Sequence, residues 1–385
     1  MADDDRAGSG PAGHRPAIGL VQREIVLVIV LAVAAAAIFG MTRSLAEWSD
    51  RTADAAADEW HRRGRAVVES GRVNEGIALL RQAVSHDRLN ADYTLSLVRA
   101  LTRPERDDTA WTEARRLLVQ LREREPDRPE INLRLARLAA TAGDTDETIR
   151  YYNHAMYGLV PDDPEYDRRR IRVELATFLL DQGDRARALG ELFALAPDVP
   201  DDAAEHFELG ALFLRAGEAR SALAEFQDAL RLAPGDWRAA AGAGDAALAT
   251  GAFAQAERHL QDAVRRGATE PAVRQRLALV RLVRSLNPLS PGLVSATRVT
   301  RVRGGLTWAA ERLRGCAPPD DDPLLSELVR MSREPLAVLR ESDALVEGIA
   351  LIGRAVDAMT SRCAERDPAE AAWQAIDTAA GVPAG

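Results

Sequence analysis

AAEHFELGALFLRAGEARSALAEFQDALRLAPGD, residues Ala203–Asp236, contains two amphipathic helices and the turn between them. Leu209 and Phe213 stand four apart before Gly217, and Ala222, Phe226 and Ala229 stand four and three apart after it. That spacing puts each set on one face of a helix. Gly217 follows the first apolar run and precedes an acidic residue. A helix ends there most easily with a residue at positive φ, which glycine adopts without a Cβ clash. Pro234 then stops the second helix.

The same frame extends in both directions, from Ala57 to about Val283, with a period of about 34 residues. The following unit has Gly244, Gly251, Ala256, Leu260 and Ala263. The preceding one has Leu175-Ala176, Gly183, Ala188, Leu192 and Pro200, and the one before that Leu135-Ala136, Gly143, Tyr152 and Ala155. Two degenerate units come first. One carries Trp60, Gly64, Gly76, Leu80 and Ala83. The other carries Leu97-Val98, Ala114, Leu118, Leu121 and Pro126, with an insertion around Arg103-Pro104. A closing helix starts at Pro271. Each unit is a pair of helices that cannot bury its apolar faces alone, so neighbours must stack into a continuous core.

The pattern resembles the tetratricopeptide repeat (TPR), with small residues at repeat positions 8, 20 and 27 and proline at position 32. The resemblance implies an all-α solenoid of about six helix-turn-helix repeats over residues 57–284. It also implies a scaffold that binds a peptide or partner helix in its concave groove. Groove-lining positions lie on the first helix of each unit. Position 9 is Arg65, Arg99 and Arg137, then Thr177, Ala211 and Asp245. Position 5 is His61, Leu95, Leu133, Val173, Phe207 and Ala241. The expected groove therefore has a ladder of Arg65, Arg99 and Arg137, then an apolar floor with Val173 and Phe207. Such a groove suits an acidic or amphipathic partner segment, because arginine pairs bidentately with carboxylates. A solvated arginine row accounts for the ladder equally well. The Lys and Asn with which some family members clamp a C-terminal carboxylate are missing from position 9.

Composition agrees with closely packed helices. Hydrophobic residues make up 46% of the 385, yet aromatics only 5%, and much of the apolar content is Ala and Leu, both strong helix formers. Every basic residue is arginine. With no lysine, a P-loop and a Schiff base are excluded. The net charge of −9 argues against a nucleic-acid partner.

Ile25 to Met41, IVLVIVLAVAAAAIFGM, carries no charge. At about 1.5 Å per residue it spans about 25 Å, within the range of membrane helices. Ser44-Leu45-Ala46 offers small residues for signal cleavage. The stretch before the span is long, however, and contains Asp3, Asp4 and Asp5, unlike a short basic signal n-region. An uncleaved signal anchor is therefore expected, with the bilayer as a partner of residues 25–41. Arg6, Arg15 and Arg23 before the span nearly balance Arg43 and Arg51 after it, so the positive-inside rule scarcely orients it.

Beyond Arg284 the repeat stops. The sequence divides into a tail (1–24), the span (25–41), a linker (42–56), the repeats (57–284), a second linker (285–294) and a small helical bundle (295–380). Helices are expected over about Ser295–Arg314, Pro323–Arg340 and Asp343–Glu365, with another from Pro368. Asp322-Pro323 and Asp367-Pro368 read as capped starts. If the three helices run up, down and up, the only cysteines, Cys316 and Cys363, reach one end of the bundle. A disulfide and two free thiols both fit. A disulfide would indicate an oxidising compartment, and with the short tail it favours periplasmic repeats on a bacterial inner-membrane anchor.

No chemistry emerges. Six histidines are scattered without ligand spacing, and no zinc, nucleophile-elbow or phosphate-loop motif occurs. Asp162-Asp163 and Asp201-Asp202 read as caps in inter-repeat turns. The expectation is a binding scaffold of an envelope complex, without catalytic residues, metal, cofactor or small-molecule substrate. The alternative is an accessory or regulatory subunit of a membrane enzyme, secretion or glycan-export machinery.

Overall fold

The computed structural model describes residues 17–103, 108–158, 167–316 and 321–381. Asp3 to Asp5, Arg6, Arg15, Pro104, Asp162 and Asp163 lie outside these residues. Among the described residues every regular element is helical. The chain divides into two compact units, one through Leu138 and one from Ala139.

The first unit holds α1 (Ala17–Glu69), α2 (Val73–His86), α3 (Ala91–Leu101), α4 (Asp108–Arg124) and most of α5 (Pro129–Ala142). Consecutive helices from α1 to α4 pack side by side. Ile77, Leu80, Leu97, Val98, Leu118 and Leu133 are buried there. α1 departs from the sequence reading. It runs unbroken across residues 42–56, expected as a linker, and starts inside the expected tail. No glycine or proline stands between Gly40 and Gly64, and the alanines around Ala55 favour helix, so nothing interrupts it. Within it, Leu27–Leu45 is long and apolar enough to cross a membrane and is wholly exposed.

The second unit continues with α6 (Thr145–Tyr157), α7 (Arg168–Asp181), α8 (Arg185–Leu195), α9 (Ala203–Ala216), α10 (Ala219–Leu232), α11 (Trp237–Ala249), α12 (Phe253–Arg265) and α13 (Pro271–Leu286). The repeat physics is visible at Gly217. Its φ is 87°, and the amide of Glu218 donates back to the Phe213 carbonyl at 2.9 Å, closing α9 in a left-handed cap. Gly143, Gly183 and Gly251 turn in the same way. Asp202 and Asp236 accept backbone amides at the starts of α9 and α11. Phe226 is buried between the helices, under Gly210 and Gly242.

The bundle comprises α14 (Ser295–Gly315), α15 (Pro323–Ser332), α16 (Ser342–Arg362) and α17 (Pro368–Ala380). Its core is continuous with the last repeat. Phe253 and Val283 belong to the same buried cluster as Leu306, Ile352 and Trp373, and α17 packs on α13. The expected linker at 285–294 is therefore a packed loop. Asn287 is buried and accepts the Leu289 amide at 2.8 Å. The second bundle helix ends at Ser332, short of the expected Arg340. Pro335 disfavours helix in the residue before it, and only a single 3₁₀ turn, Val338–Arg340, follows. Asp322 and Asp367 cap as expected. The ends of α14 and α16 bring Cys316 and Cys363 to a Cα separation of 5.0 Å, with their sulfurs at bonding distance.

Candidate partner-binding site

In the second unit the first helices of the last two full repeats, α9 and α11, stand beside α13 and frame a cavity of about 540 Å³. Phe207 and Ala211 from α9 and Ala241 from α11 line it, with Arg238, Asp245 and Arg276. The opening follows from composition. α11 reads WRAAAGAGDAALA, and its small side chains leave room where bulky ones would fill it. Phe207 packs its ring 5.7 Å from that of Phe226, and the Arg238 guanidinium lies 5.5 Å from the Phe207 ring centre. That is a cation–π distance.

Asp245 and Arg276 form the polar centre of this groove. Arg276 Nε approaches Asp245 Oδ1 to 2.7 Å, but neither atom makes an aligned hydrogen bond. Burial raises the Asp245 carboxyl from its ordinary value to about 6, against the opposing pull of Arg276. Arg276 also lines a second cavity of about 580 Å³, with Leu279 and Leu282 of α13 and Pro368 and Ala371 of α17. Open apolar surface thus runs from the repeats onto the bundle.

The sequence-derived groove residues fall into two groups. Phe207 lines the cavity, while Val173, half-buried on α7, packs against the same core cluster. Arg65, Arg99 and Arg137 belong to the first unit, on α1, α3 and α5. α1 and α3 lie side by side, joined by His61 to Ser96 at 2.8 Å and Tyr93 to Asp58 at 2.5 Å. Arg65 and Arg99 are exposed and stand 3.8 Å from Glu69 and Glu130, while Arg137 is half-buried. At position 5, Leu95 and Leu133 are core residues. Burial and Arg65 both hold the His61 imidazole below its ordinary pKa. Arg238 and Arg276 escaped the sequence reading. Arg238 occupies position 2 of its unit, and Arg276 lies on a helix read only as a closing element.

No curated protein matches the chain. Solved structures similar to it include YrrB, described as a TPR protein with an unusual peptide-binding site. It is 14% identical, with 50% of this chain and 95% of that one covered and a TM-score of 0.40. A tetratricopeptide repeat protein from Parabacteroides merdae is 13% identical, with coverages of 72% and 99% and a TM-score of 0.41. The C-terminal part of a TPR repeat-containing protein from Cytophaga hutchinsonii is 11% identical, with coverages of 70% and 99% and a TM-score of 0.46. Models of the tetratricopeptide repeat match residues 109–164 and 213–280. TPR proteins generally mediate protein–protein interactions. This all-helical chain carries tetratricopeptide repeats, and its open groove lies on them.

Proposed function

We propose that the chain is a scaffold, anchored in a bacterial inner membrane by α1, that organises an envelope complex by holding an acidic, partly apolar segment of a partner protein. The groove carries this reading. Its floor of Phe207, Ala211 and Ala241 offers apolar contact, and Arg238 and Arg276 stand over it. The Arg65, Arg99 and Arg137 ladder is a second basic surface for the same kind of segment. Ion pairs as exposed as those of Arg65 and Arg99 contribute about 0–1 kcal/mol, so a partner's carboxylate can replace their present acids at little cost. Anchoring is supported by the exposed apolar stretch Leu27–Leu45 and by Trp48. This tryptophan is exposed one turn beyond the stretch, where aromatic residues settle at a bilayer surface. The approach of Cys316 to Cys363 supports an oxidising, periplasmic location for the repeats.

Cross-linking in native membranes followed by capture of the tagged chain tests the groove. A211W should fill the cavity and remove the partner that the unaltered chain retains. Unchanged capture overturns the groove reading. A triple R65E/R99E/R137E variant tests the ladder separately, and undiminished capture removes it from the partner surface.

A further inference from the structure

A separate cavity of about 700 Å³ opens where the start of α12, the loop after α13 and the end of α17 meet. Phe253, Leu293 and Ile376 give it an apolar floor. Three guanidinium-bearing residues, Arg258, Arg284 and Arg301, line it, and no side-chain carboxylate among the described residues does. Arg301 donates to the carbonyls of Arg284 at 3.1 Å and Asn287 at 2.6 Å. These bonds hold its position without neutralising its charge. Arg284 shares Glu257 with Arg281, so one carboxylate serves two cations. Arg258 is exposed and pairs with no carboxylate among the described residues. The local charge is therefore positive in a chain whose net charge is −9. Leu289, in the cavity lining, is 41% exposed, and Val294, next in sequence to the lining residue Leu293, is 66% exposed, so apolar surface stands open to solvent here.

We infer that this junction is a second docking site, which takes an acidic, partly apolar segment of a partner protein. Charge complementarity selects the acid, and the floor with its exposed leucine and valine selects apolar side chains flanking it. The site shares no lining residue with the groove, which is built on α9, α10, α11 and Arg276 of α13. Anchored repeats with two such sites could hold two partners, or two segments of one.

The test places a photo-reactive benzoylphenylalanine at Ala254 or Ala379, both exposed alanines that line the cavity, in the full chain in its own membranes. Both positions should yield an adduct of one protein mass. Arg258→Glu should reduce both adducts about tenfold, the loss expected for one charge-assisted contact. Arg265→Glu, on the same helix but outside the cavity, should leave them intact. Arg258 makes no ion pair among the described residues, so its variant should melt like the unaltered chain. Absent adducts, adducts to lipid alone, adducts insensitive to Arg258→Glu, or equal loss with Arg265→Glu would each overturn the proposal.

Discussion

Asp245 lines the groove with its carboxyl largely out of water, and its pKa is raised from 3.8 to about 6. The folded chain therefore binds this proton more readily than the unfolded chain does. Stability from this group is complete below about pH 4 and is lost as pH rises through about 6. The shift corresponds to about 3 kcal/mol at neutral pH. Asp245→Asn should flatten the fall between pH 4 and 6.5 and leave the variant more stable than the parent at pH 7.5. Urea melts at pH 4.5 and 7.5 measure the difference. A less stable variant at pH 7.5 would mean that the attraction of Arg276 outweighs burial. Gly242 makes the opposite kind of point, because its role is steric. A Cβ there would stand 2.6 Å from two atoms of the Phe226 ring, which is buried and packed on Phe207. Gly242→Ala should destabilise by about 1–3 kcal/mol despite its better helix propensity. Gly304→Ala, on exposed helix with nothing within 4 Å, should instead stabilise by about 0.5–1 kcal/mol. Thermal melts of the pair separate the steric term from propensity.

At the scale of elements, what sequence made legible was whatever depends on neighbours along the chain. The four inter-helix glycines, the caps at Asp322 and Asp367, and the facing of Phe213 and Phe226 all follow from local spacing, and all stand in the structure. The groove was legible only in part. Phe207 was named from its repeat position and lines the candidate cavity, but the stacking of Arg238 on it and the reach of Arg276 from α13 depend on how separate helices meet. Pro335 could have ended α15 in the sequence reading, since the signal is local. The continuity of α1 could also have been read from the lack of glycine and proline. The cysteine pair was an element-level inference from alternating helix direction. A bond there closes a loop of 47 residues between α14 and α16. In the chain-entropy model it contributes about 4 kcal/mol. Cys363→Ser should lower the urea midpoint of the bundle by a corresponding amount, and reductant should do the same to the parent but not to the variant. Equal midpoints with and without reductant in the parent, together with thiols that alkylate without reduction, would show that the two sulfurs are not bonded.

For the whole molecule the decisive feature is that the apolar stretch and the first repeat share one helix. Among the described residues none of Leu27–Leu45 is buried, whereas Ala57, farther along α1, is fully buried. The helix between Leu45 and Ala57 rises about 18 Å, so it would act as a strut holding the first repeat off a bilayer without a flexible hinge. The apolar part should then contribute to location but not to folding. Among the described residues its removal exposes no core, because none of the stretch is buried. A variant starting after Leu45, purified under oxidising conditions, should therefore partition into the soluble fraction. It should retain helical circular dichroism and a melting temperature within about 2 °C of the full chain, since surface changes away from packed features move stability by less than about 0.5 kcal/mol. A variant that stayed with membranes would place the membrane affinity elsewhere on the molecule. A variant that was soluble but melted far lower would show that α1 supports the repeats by contacts beyond Ala57. Replacing residues 46–56 with a glycine-serine linker of equal length separates the strut from the anchor. Membrane association should persist, because the apolar stretch is intact. Partner cross-linking should fall only if the height set by α1 matters to the complex, since a flexible segment spreads the repeats over many distances from the surface.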